Sequence, residues 1–132
     1  MHADVVATRS FPSELDSVRA ARHFTAGLFG RGSGSAAEDA AIVVTELAAN
    51  AVLHARSGFT VTVSRSAAAV RIAVRDNRPL ARWNHGRPFD VRAGHGLSVV
   101  AQLARDWAVE RRPGGKVIWA ELRTGTASGE PA

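Results

Sequence analysis

Three short stretches of this 132-residue chain place acids, amides and glycines where ordinary packing does not call for them. In the first, Glu46, Asn50 and His54 stand four residues apart within Thr45-Glu46-Leu47-Ala48-Ala49-Asn50-Ala51-Val52-Leu53-His54-Ala55. On a helix, at about 100° per residue, they span an arc of about 80° that holds Val43 and borders Leu47. A surface helix keeps such groups on the opposite side from its apolar stripe. On the apolar face a carboxylate and an amide need partners or shifted pKa values, which makes them candidates for chemistry. Taken alone, the helix fits a partly exposed edge with internally satisfied side chains equally well.

The second stretch is Arg75-Asp76-Asn77-Arg78-Pro79, at the end of a β-rich run. A carboxylate there can accept a hydrogen bond from an amino group, although Asp-Asn-x-Pro is also a common turn. The third is Gly94-His95-Gly96-Leu97, at a loop-to-helix junction. Its glycines let the backbone approach a ligand, and free N–H groups at a helix start favour phosphate. A flexible hinge explains the pair of glycines about as well. Neither a Walker loop nor a dinucleotide fingerprint is present.

The elements that must hold these residues follow from periodicity. Val5 to Phe11 is extended. A helix opens after Pro12 with Ser13 and Asp16 spaced as a capping box, and Leu15, Val18, Ala21, Phe24 and Leu28 form its apolar face. After the Gly30-Arg31-Gly32-Ser33-Gly34 break, Ser35 and Glu38 make a second capping box for a long helix from about Ala36 to Ala55. Two strands, Phe59 to Ser66 and Val70 to Arg75, flank an alanine-rich turn. From Asn77 to Ala93 no period is sustained, and a loop this long in a small domain is usually functional or mobile. Ser98 to Leu103 is helical, and Trp107 to Arg111 and Val117 to Leu122 form a hairpin around Pro113-Gly114-Gly115. Residues 1–123 are expected to form one domain and 124–132 a disordered tail.

Composition narrows the classes. The chain is 45% hydrophobic and 22% charged, as soluble globular proteins are. It has no cysteine, which excludes disulfides, thiolate metal sites and thiol nucleophiles and fits a reducing cytosol. No membrane span or secretory leader is evident, so a cytoplasmic protein is expected. The net charge of +5 comes from scattered arginines with a single lysine, Lys116, and aromatic content is only 6%. Direct nucleic-acid binding is therefore disfavoured, since neither a dense basic run nor a stacking platform is present.

In their order and spacing, the Glu46-to-His54 segment, Val74-Arg75-Asp76, Gly94-His95-Gly96-Leu97 and Pro113-Gly114-Gly115-Lys116-Val117-Ile118-Trp119 resemble the ATP-binding domain shared by gyrase, heat-shock chaperone, histidine kinase and mismatch-repair ATPases, the GHKL or Bergerat fold. The short layout is similar to the bacterial anti-sigma factor and serine-protein kinase family. The resemblance implies an α+β, two-layer α/β sandwich, with a mixed, mostly antiparallel sheet and helices on one face. It implies ATP and Mg²⁺ as ligands. Glu46 would be the base acting on the attacking hydroxyl, Asn50 the Mg²⁺ ligand, and Asp76 the reader of the adenine amine, while Gly94, Gly96 and Leu97 would close over the phosphates. One amide oxygen suffices for Mg²⁺, which takes few protein ligands.

The same resemblance implies a serine/threonine kinase acting on an anti-sigma antagonist protein, with a sigma factor as further partner. The alternative is a binding module that keeps the fold and only sequesters its partner; a homodimer is compatible with either. One departure favours the alternative. Where the family's full adenine motif has Asp-x-Gly-x-Gly, Asp76 is followed by Asn77, Arg78, Pro79 and Leu80, and Arg78 in place of glycine implies a narrower pocket. Asp76→Ala is expected to abolish nucleotide binding and leave the fold intact. The segment Asn77 to Ala93 is expected to be a lid, its rival being a loop packed by Trp83 and Phe89.

Overall fold

Residues 4–30, 34–79, 83–84, 87–88 and 97–124 are described by the computed structural model. The chain runs β1 (Asp4–Phe11), α1 (Leu15–Ala26), α2 (Ser35–Ala49), a π-helical turn (Asn50–Ala55), β2 (Phe59–Arg65), β3 (Ala69–Asp76), β4 (Trp83–Asn84), β5 (Arg87–Pro88), α3 (Leu97–Leu103), β6 (Asp106–Arg112) and β7 (Gly115–Arg123). Five strands form one sheet in the order β1-β2-β3-β7-β6, and each of its pairings is antiparallel. β4 and β5 pair separately.

Alternation builds the sheet. In β2, Phe59, Val61 and Val63 are buried while Thr60, Thr62 and Ser64 face the other way; β3 repeats this with Val70, Ile72 and Val74, and β7 with Ile118, Ala120 and Leu122. Against this apolar side α2 lays Ala40, Val43, Val44, Leu47 and Ala48, spaced three and four residues apart as one helix face requires. Phe11 of β1 stacks on Phe59 with ring centroids 5.3 Å apart and meets Phe24 of α1 edge-on at 6.1 Å, which joins α1 to the same core. The helices thus cover one face, the expected two-layer arrangement.

Neither expected capping box forms. The N-cap of α1 is Glu14 and that of α2 is Gly34, and neither helix has a side-chain cap hydrogen bond. In α1 the chain turns through backbone bonds instead, Glu14 N–H to the Pro12 carbonyl and Ser17 N–H to that of Glu14. That moves the helix start past Ser13. The hairpin turn is also tighter than expected, because Gly115 already pairs with Arg112 inside the strand and Gly114, at φ +72°, supplies the left-handed residue.

The uncovered face is held by polar contacts. Thr8 and Ser10 of β1 meet Thr62 and Thr60 of β2 through their hydroxyls, at 3.3 and 2.7 Å. The Arg71 guanidinium lies 3.9 Å above the Trp119 ring centroid and pairs with Glu121 at 3.2 Å. The indole N–H of Trp119 donates to Glu110 Oε2 at 2.9 Å, and Arg112 donates to Oε1 at 2.6 Å. The Trp119 hydrogen bond, followed by that from Arg112, holds the Glu110 carboxyl below its ordinary value of 4.5. A carboxyl lowered on folding stabilises the protein above its unfolded pKa, and the gain is lost as pH falls through the folded value. The stability difference between wild type and Glu110→Gln should therefore be present at neutral pH and shrink as denaturant titrations move below pH 4.5. A difference independent of pH would contradict the assignment.

Candidate functional site

Glu46 lies near the end of α2, half-buried, and among the described residues its carboxylate makes no hydrogen bond or ion pair. Four residues on, the helix widens. The Asn50 N–H reaches the carbonyls of Glu46 and Leu47, and Asn50–Ala55 continues as π-helix. Such wide turns often mark functional positions. Asn50 is buried, and its Nδ2 has no hydrogen-bond partner among the described residues. His54, four residues further on within the widened turn, is exposed and makes an interaction of its own. The widened turn ends at Arg56, which takes the left-handed conformation at φ 54°, with Ser57 N–H bonded back to the Ala51 carbonyl at 3.0 Å.

Ser57 then lashes this helix end to the sheet. Its hydroxyl oxygen accepts the Asn77 N–H at 2.9 Å, directly beyond β3. The adjoining Asp76 is buried. Its Oδ1 accepts the Arg78 N–H at 2.9 Å, and its Oδ2 lies 2.9 Å from the Lys116 ammonium, contributed by the opposite position on β7. Both side chains are less than a tenth exposed. The effect of Arg78 differs from the crowding its size suggests, because its side chain is exposed and its backbone N–H is what occupies Asp76.

Next to this pair, glycine is obligatory at position 115 for lack of room. A Cβ on Gly115 would overlap the Asp76 carbonyl oxygen and crowd Asn77 Cα. Gly115→Ala should therefore part β3 from β7 at the site and cost about 1–3 kcal/mol, the range for overpacking. Gly114→Ala meets open space and pays only for its positive φ, about 1–2 kcal/mol. Chemical denaturation of the two variants compares them, and a smaller loss at 115 than at 114 would contradict this packing.

Ser57 thus joins the end of the widened turn that begins at Asn50 to the end of β3 that carries Asp76, while Glu46 stands one turn earlier on α2. Leu97 opens α3 and is buried in the core, packed with Val100 and the sheet residues rather than facing solvent. Gly94 and Gly96 lie outside the described residues. So does most of the expected lid, within which Trp83–Asn84 and Arg87–Pro88 form the β4–β5 ladder. Residues 125–132 also lie outside. Sequence reasoning missed two site residues. Lys116 had a signal, as the one lysine in an arginine-rich chain. Ser57 had none.

The family of histidine kinase-like ATPase domains matches residues 11–122. The chain belongs to that family. No curated protein gives a significant match. Among the described residues no helix is long and apolar enough to cross a membrane.

Proposed function

We propose that this chain binds ATP with Mg²⁺ between the end of α2 and the end of β3, and that it is a cytoplasmic regulator resembling an anti-sigma factor, transferring phosphate to a serine or threonine of an antagonist protein and binding a sigma factor. The observation that carries this reading is the buried Asn50 amide, whose Nδ2 has no partner among the described residues, one turn from the half-buried Glu46, whose carboxylate is unpaired among them. A buried N–H donor without a partner costs free energy that an acceptor on a ligand, such as a phosphate oxygen, can recover. The donor set fits the ligand: an amide oxygen suits Mg²⁺, and Asp76 retains lone pairs for an amine after accepting two bonds.

In this reading Mg·ATP supplies the phosphoryl group and the charge neutralisation that phosphoryl transfer chiefly needs. Asn50 orients the metal through its amide oxygen, and Asp76 holds the base. Glu46 accepts the proton of the partner's hydroxyl. Gly94, Gly96 and the backbone of Leu97 close over the phosphates.

The sequestering module remains the second reading, favoured by one observation: both oxygens of Asp76 already accept bonds within the protein. Thermal unfolding with and without millimolar Mg·ADP separates the two. Binding to the folded state alone raises Tm by mass action, by about 2.7 kcal/mol of stabilisation at a hundredfold excess over Kd. No shift at millimolar nucleotide would leave the module without nucleotide.

A further inference from the structure

Lys116 presents a buried ammonium with more donors than the described residues fill. Of its three N–H groups one is matched by Asp76 Oδ2, and among the described residues no other acceptor reaches it. Its side chain is only 8% exposed, so solvent has little access to the remaining two. Asp76 is complementary in its needs: its carboxylate keeps lone pairs free after accepting from Arg78 and Lys116. An acceptor and a donor thus stand 2.9 Å apart at the end of β3 and β7. A purine with an exocyclic amine next to a ring nitrogen offers the converse arrangement, a donor beside an acceptor.

We propose that Lys116 is a base-reading residue, its ammonium donating to the ring nitrogen that flanks the amine accepted by Asp76. This rests on the nucleotide site described above and adds to it a second, charged contact with the base. The choice of lysine supports it. Every other long basic residue of the chain is arginine, yet a guanidinium here would span both carboxylate oxygens as a planar fork and use up the acceptor. A lysine ammonium is a point charge with rotatable donors, and it leaves Asp76 able to accept again.

Calorimetric titration of the full chain with the Mg²⁺ complexes of ADP, 1-deaza-ADP and 7-deaza-ADP tests this. The wild type should bind ADP and bind one of the two deaza analogues at least about tenfold more weakly, tenfold being 1.4 kcal/mol. Lys116→Met, with its fold checked by circular dichroism, should bind ADP and that analogue alike. Equal wild-type affinity for all three nucleotides would overturn the role of Lys116 while leaving the nucleotide site standing. So would a Lys116→Met protein that keeps the full preference for ADP. If the variant does not fold, the wild-type series decides alone. Wild type that binds none of the three would overturn the site and this inference together.

Discussion

Asp76→Ala is expected to destabilise the domain by about 3–5 kcal/mol, because it strands the Lys116 ammonium in a place where water cannot replace the carboxylate. For a chain of this size that is a fall in Tm of roughly 10–20 °C. Removing both partners should cost far less. A buried ion pair exchanged for apolar groups of similar volume is often neutral, since two desolvation costs vanish with the attraction. The double variant Asp76→Leu with Lys116→Met should therefore be more stable than Asp76→Ala alone, which denaturant unfolding of the three proteins measures. Similar stability for wild type and Asp76→Ala would show that the pair is not formed. The sequence alone suggests that Asp76→Ala leaves the fold intact, and the buried ion pair adds a stability cost to that substitution. Loss of nucleotide binding in Asp76→Ala is for this reason a poor test of base recognition.

Glu46→Gln is the second large effect, and it falls on chemistry rather than stability. The carboxylate has no described partner to lose, and glutamine keeps its shape, so folding and Mg·ADP affinity should stay as in wild type. An amide cannot take the proton of an attacking hydroxyl. Removing a general base costs about 10²–10⁴ in rate, and single-turnover release of phosphate from Mg·ATP, with water as the acceptor, should fall by that factor. Equal rates would remove Glu46 from the reaction.

Much of the sheet was legible because its inward positions repeat every second residue. The Thr-Val-Thr-Val of β2 and the Val-Arg-Ile-Ala-Val of β3 are one-sided patterns that a half-covered antiparallel sheet requires. The helix face around Val43 and Leu47 was legible for the same reason. Helix starts were not, since Ser13 and Ser35 have the spacing of caps but backbone turns at Glu14 and Gly34 satisfy those ends instead. The π-turn at Asn50 escaped because a wider turn leaves no compositional mark.

At the site, Asp76 stood out by type and position, whereas its two partners depended on tertiary structure. Register brings Lys116 opposite Asp76 from forty residues away, and the turn after β3 brings in the Arg78 N–H. Neither pairing follows from local spacing. Ser57 is similar: an ordinary serine after a helix becomes the tie between α2 and β3 only once both elements are packed.

Hydrogen exchange of the full chain with and without Mg·ADP tests most directly whether the joined ends of α2, β3 and β7 are where nucleotide binds. The account predicts slowed exchange in peptides covering Thr45 to Ser57, Val74 to Arg78 and Gly115 to Val117, with the outer strand β1 unchanged. Protection confined to other segments, or no protection at saturating nucleotide, would contradict it.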